Sequence, residues 1–447
     1  MTEGSPGKLI FFFAIPLMLG NMCQQLYTVV DTLVVSRTLG VQALAAMGSA
    51  DWYMFMVPGI IMGFTQGFAI LIANFFGASD NGSLNRAIAH SIRLSGILAI
   101  ILTALAILSV PPVLALLRTP SEIRPLTRLY LTIYFAGIPA IVLYNLSASV
   151  LRAFGNSKVP LYAMIGASVM NIGLDILFVV PLKMGIAGAA LATVIAQLCA
   201  GLFCTVVAGR IPEIHLTKDD FAAQRSLDKE LLRLSTPMVL QNILISIGGM
   251  IVGYVVNGLG VTFIAGYTAT NKLYGMLEVA AVAYGFAIVT YTGQNYGAAR
   301  YDRIRQGFKA SLLIAVLTSA AIGGLMILFG RTITGAFLTG SGSEVEEAKV
   351  IAYRYLVIMA GFLWILYVLY VVRSMLQGMG NTLVPMISGG GEFIARTLMA
   401  LVGSLFMGGT AIMIGEVAAW AAADIVMVPA LIKRIRQLRK LPAGEKA

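Results

Sequence analysis

Long apolar runs separated by short polar stretches dominate the chain. They lie near 9–36, 43–75, 88–110, 127–151, 160–182, 186–209, 231–257, 263–292, 308–330, 350–375, 384–406 and 410–432. Each is long enough for the about 20 apolar residues that cross the hydrocarbon core as a helix. Strands of a membrane barrel alternate apolar and polar positions over about ten residues, and these runs do neither. A helix also satisfies its backbone N–H and C=O groups within the segment, as lipid requires. The pattern therefore predicts an all-α integral membrane protein with twelve transmembrane helices.

An even number of spans puts both termini on one side. Most basic residues fall on that side: Arg86, Arg152, Lys158, those of the 210–233 loop, Arg300, Arg303, Arg305, Lys309 and the tail Lys433, Arg434, Arg436, Arg439 and Lys440. Cytoplasmic loops carry such an excess, so both termini are expected in the cytoplasm of a cell with this protein in its inner (plasma) membrane. The tail could meet anionic lipid, although a topology anchor is the simpler reading. Composition agrees: 58% of the 447 residues are hydrophobic and only 11% charged. A net charge of +11 in short interhelical loops belongs to membrane topology, so nucleic acid is excluded as a partner. Cys23, Cys199 and Cys204 sit inside apolar runs and read as small buried hydrophobes. The first apolar run has no small-residue cleavage pattern soon after it and is expected to remain as a span.

The longest polar stretch, near 210–230, separates two halves that resemble each other. Ala14-Ile15-Pro16 recurs as Ser235-Thr236-Pro237, and Leu39-Gly40 as Leu259-Gly260. Gly67-Phe68-Ala69-Ile70 recurs as Gly285-Phe286-Ala287-Ile288. The segment from Leu151 to Pro160 matches that from Leu376 to Pro385, with Gly, Asn, Val and Pro in register. Two six-helix lobes are expected, 1–215 and 216–447. With six spans per half the copies run in the same direction, related by a pseudo-two-fold axis along the membrane normal. Such repeats suit transporters, where two bundles open a midplane site to each side in turn.

Ionisable groups inside spans are costly and are functional candidates. Asp31 lies in the outer part of span 1. Asn171 and Asp175 lie one turn apart in span 5, at similar depth, and Thr193 of span 6 is within reach. Two carboxylates, an amide oxygen and a hydroxyl form an all-oxygen set that suits a hard cation. Two close acids in low dielectric also suit proton carriage. The blander reading is that each acid meets only a helix dipole or a hydroxyl. Glu392 and Arg396, one turn apart, are expected to pair with each other. Lys272 and Glu278 could line the second half, Asp51 and Asp424 lie nearer span ends, and Glu416 has no evident partner. His90 and His215 read as structural or solvated groups on the cytoplasmic side.

The order and spacing of several segments resemble the multidrug and toxic compound extrusion (MATE) family. They are Pro16, Gln25-Leu-Tyr-Thr-Val-Val-Asp31, Leu39-Gly40 with Ala43-Leu-Ala-Ala46, Gly67 to Gly77, Arg152 to Pro160, and Asn171-Ile-Gly-Leu-Asp175. The resemblance covers essentially the whole chain. It implies two six-helix lobes, antiport of drug against Na⁺ or H⁺, and no enzymatic activity or cofactor. It maps the first-lobe cation site onto Asp31, Asn171, Asp175 and Thr193, which would also be the metal ligands if the ion is Na⁺. Family cavities further point to Gln24, Tyr27, Asn145 and Met164 as substrate-lining. Some members use acids in spans 7 and 10, and these spans contain none here. The expected partners are small organic substrates and membrane lipids, with the chain acting as a monomer. A flippase for a lipid-linked precursor is the nearest alternative. It should carry Arg or Lys in the first lobe, where this chain has acids. A membrane-embedded enzyme would need clustered catalytic groups, and a channel a pore-loop motif; neither is evident in the sequence.

Overall fold

The computed structural model describes residues 1–48, 51–117, 119–338 and 342–439. Lys440 lies outside them, and the Asp51 side chain is likewise not described. The first half comprises α1 (Pro6–Leu39), α2 (Val41–Gly48), α3 (Asp51–Gly77), α4 (Asn81–Leu116), α5 (Arg124–Ala136), α6 (Ile138–Ala153), α7 (Lys158–Val179) and α8 (Ile186–Ala208). The second comprises α9 (Arg225–Asn257), α10 (Val261–Gly297), α11 (Tyr301–Phe337), α12 (Ser343–Gly361), α13 (Leu363–Gly378), α14 (Leu383–Leu398), α15 (Ser404–Met407) and α16 (Gly409–Leu438).

Among the described residues, ten helices are long and apolar enough to cross a membrane, and two bent pairs bring the total to twelve. The pairs are α5 with α6, bent by 44°, and α12 with α13, bent by 48°. At the first bend, Pro139 lacks the N–H that a continuous helix would use, and Gly137 leaves room for Val194, which a β-carbon would strike. Span 2 is preceded by the separate short helix α2, and span 11 is interrupted after α14 by a π-helical turn, Met399–Gly403.

The helices form two compact units, one of residues 15–239 and the other of residues 1–14 and 240–447. The sequence places a single division at 215/216 instead. The difference has a physical cause, because the polar 210–228 segment is held within the first unit. Asn85 of α4 donates to the Glu213 carbonyl at 3.1 Å and accepts from the His215 amide at 2.9 Å. Buried His90 has Nδ1 2.7 Å from Asp228 and Nε2 3.0 Å from the Ala222 carbonyl, and Arg93 donates to Asp228 at 2.5 Å. The first turns of α9 therefore pack with α3 and α4. The divisions inside α1 and α9 fall within three residues of Pro16 and Pro237, where each helix lacks one backbone donor.

The backbone repeats as the sequence does. Positive φ recurs at Gly40 and Gly260, Ser79 and Ala299, Gly155 and Gly380, and Gly185 and Gly408. The last pair, with φ/ψ of 61°/−145° and 55°/−141°, starts α8 and α16. Only glycine adopts this region readily, so the two chain entries into these helices are the same local structure.

Candidate cation and substrate site

The candidate residues lie within the first unit on α1, α7 and α8. Helices α7 and α8 pack along their lengths. Gly20 brings α1 onto α7, where a β-carbon would lie 3.8 Å from Leu161 Cα and 4.0 Å from Met164 Cβ. Val35, Val179 and Ala189, each one turn from Asp31, Asp175 and Thr193, meet in one buried apolar cluster. That cluster links the helix turns that carry the three polar positions.

Burial is nearly complete: Asp31 is 5% exposed, Asn171 1% and Asp175 0%. Asn171 Nδ2 donates to Thr193 Oγ1 at 3.4 Å, and Thr193 donates to the Ala189 carbonyl at 3.2 Å. Oδ1 of Asp31, both carboxylate oxygens of Asp175 and Oδ1 of Asn171 have no hydrogen-bond partner. Each buried polar atom left so costs ~1–3 kcal/mol, and more when charged. Positive charge is what satisfies such oxygens, as protons or as a hard cation with oxygen ligands. Among the described residues no three His, Cys, Asp or Glu side chains cluster as a metal site.

The substrate-lining candidates are placed less uniformly. Gln24 is exposed and Tyr27 half-buried on α1. Tyr27 neighbours Gln24, Gln197 and Asp31, with Tyr134 and Tyr144 close by. Asn145 is half-buried and donates to the Ile141 carbonyl at 2.8 Å. Met164 is buried against Gly20 of α1. Sequence reasoning missed Gln197, whose Oε1 has no partner; its spacing of one turn from Thr193 is the signal that marks it.

The second unit corrects one expectation. Glu392 and Arg396 do not pair with each other. Glu392 accepts from Arg373, and Arg396 donates to Glu416 at 2.8 Å. The Gln241 amide, oriented with its oxygen toward Arg373, accepts from Nη2 and Nε at 3.1 and 2.8 Å. Residues one turn apart on α14 point along the helix, and the guanidinium groups reach neighbouring helices instead. Glu278 accepts from the Tyr370 hydroxyl at 2.5 Å, Lys272 is exposed, and Asp424 Oδ1 lacks a partner.

The MatE family model matches residues 16–177 and 237–402, one copy in each half. The chain belongs to the MatE family. A relative from Bacillus subtilis, the probable multidrug resistance protein YoeA, is 29% identical over 80% of this chain and 78% of its own length. A second from the same organism, the probable multidrug resistance protein YpnP, is 32% identical over 68% of each chain. A crystal structure of a MATE protein in complex with MaL6 superposes with a TM-score of 0.88 at 25% identity, covering 98% of both chains. This MatE chain is thus a multi-pass membrane protein of a transporter family that includes multidrug exporters.

Proposed function

We propose that this MatE protein exports amphipathic, mostly cationic organic compounds in exchange for Na⁺ or H⁺, from the plasma membrane and with both termini cytoplasmic. The observation that carries the reading is the group of four unpartnered, buried oxygens on Asp31, Asn171 and Asp175. A buried anionic site without a paired guanidinium or ammonium is stable only when it takes up positive charge. Its occupancy then favours one arrangement of the first unit, and a substrate that prefers the other arrangement is linked to the ion by that difference. Gln24, Tyr27, Asn145 and Met164 are assigned to the substrate side of the same unit. The tyrosines around Tyr27 offer ring faces that attract organic cations.

The test is drug transport by purified protein in proteoliposomes, with Na⁺ and pH gradients imposed separately. Asp31→Asn and Asp175→Asn keep size and polarity but remove charge, so gradient-driven transport should fall at least tenfold while the protein still folds. Wild-type rates in both variants under either gradient rule the site out. In the same vesicles, cysteines introduced at Ser226 and Ser343 should react from opposite faces; reaction of both from outside refutes the orientation.

A further inference from the structure

The two units place different chemistry at matching positions. Asn171 lies sixteen residues after Gly155, and Arg396 sixteen after Gly380. Thr193 lies eight residues after Gly185, and Glu416 eight after Gly408. Both glycine pairs share positive φ. Where the first unit has the Asn171–Thr193 hydrogen bond at 3.4 Å, the second has the Arg396–Glu416 ion pair at 2.8 Å, with side chains 8% and 15% exposed.

The acids differ as well. Asp31 stands fifteen residues after Pro16, and Val252 fifteen after Pro237. Asp175 stands twenty residues after Gly155, and Ala400 twenty after Gly380. Ile412 matches Ala189 by the same count from Gly408 and Gly185. Val252, Ala400 and Ile412 lie together in one buried apolar cluster. The second unit therefore has apolar side chains where the first has its carboxylates, and a guanidinium where the first has its amide.

We propose that Arg396, paired with Glu416, is a fixed cation that takes in the second unit the place of the mobile cation in the first, so that the Glu416 position itself takes up no ion. The inference rests on the first-unit cation site argued above. Its physical basis is charge balance. Ionised Asp31 and Asp175 have neutral Asn171 and Thr193 as companions, so their charge must be met by an ion that comes and goes. Glu416 is met by a group tethered to the chain. A guanidinium does not lose its proton in a protein, so neither pH nor Na⁺ can empty that position. Valine and alanine offer no ligand to a second ion. Arg396 and Glu416 are on this account positioning residues, setting the arrangement of the second unit without touching the transported ion.

The experiment measures Tm of the purified full-length protein against Na⁺ at fixed pH and against pH at fixed Na⁺. Wild type should show an ion-dependent rise in Tm that Asp31→Asn/Asp175→Asn abolishes. In that background Arg396→Gln leaves Glu416 uncompensated and should restore an ion-dependent rise comparable to that of wild type. Adding Glu416→Gln should remove it again. A purely structural pair predicts instead that Arg396→Gln lowers Tm equally at every ion concentration, and that outcome overturns the proposal. If Arg396→Gln does not yield folded protein, the Asp31→Asn/Asp175→Asn chain decides alone. Ion dependence persisting there and removed by Glu416→Gln means the second unit already takes up ions, and the fixed-cation role is wrong; its absence supports the role. If the full wild-type response survives Asp31→Asn/Asp175→Asn and also survives Glu416→Gln, it is the first-unit site that fails.

Discussion

Asn171 gives its amide to Thr193 across the α7–α8 interface, and so leaves its own oxygen without a donor one turn from the Asp175 carboxylate. The Thr193 hydroxyl is itself committed to the Ala189 carbonyl. This chain of donors fixes which end of the amide can serve as a ligand. A sodium ion uses such an oxygen, whereas a proton needs only a carboxylate. Asn171→Ala and Thr193→Val should therefore raise the half-saturating Na⁺ concentration for drug efflux about tenfold, corresponding to ~1.4 kcal/mol. Transport driven by a pH gradient alone should stay near wild type. Equal losses under both gradients would show that the two residues shape the unit and do not ligate an ion.

The buried pair of Arg373 and Glu392, joined by Gln241, ties α9, α13 and α14 together. Removing one partner strands a charge in a low-dielectric interior, at a cost of ~3–5 kcal/mol, while replacing both by apolar groups of similar volume is far milder. Arg373→Met and Glu392→Met should each lower the Tm of the purified protein markedly, and the double substitution should recover most of the loss. A double variant as unstable as the sum of the singles would mean that the pair is not an isolated electrostatic unit.

Helix α3 carries two glycines one turn apart, Gly63 and Gly67, directly against the backbone of α9. A β-carbon at Gly63 would lie 2.8 Å from the Val239 nitrogen, and one at Gly67 2.8 Å from the Ser235 nitrogen. Small residues at this spacing let membrane helices approach closely. Gly67→Ala should push α9 away and lower stability by ~1–3 kcal/mol. The control is Gly166→Ala on α7, where nothing lies within 4 Å of the added carbon and no loss is expected. Thermal melting of the three proteins checks this, and an unshifted Gly67→Ala refutes the close approach.

The second-unit partners were not legible in the sequence. Spacing along one helix suggests Glu392 with Arg396, yet each reaches a different neighbouring helix, because long side chains are satisfied by whatever the packing brings near. Gln197 was missed although it stands one turn from Thr193, because a glutamine in an apolar run gains weight as a candidate only once α1 lies beside it. The boundary between the units was also a matter of packing. A polar loop looks like a linker, and the bonds of Asn85, His90 and Arg93 to residues 213–228 show that it belongs to the first unit.

By itself the sequence determined the membrane class, the all-helical spans and the two-fold repeat, and it singled out four polar residues of the first unit as candidates. Hydrocarbon thickness, backbone hydrogen bonding and the expense of a charge in lipid act on local sequence and can be read there. The tertiary structure decided which buried oxygens are left without donors, and which carboxylate meets which guanidinium. It also decided that positions occupied by Asn171 and Thr193 in one unit are occupied by an ion pair in the other. Those outcomes depend on distances between residues far apart in the chain, which helix packing sets and local sequence does not.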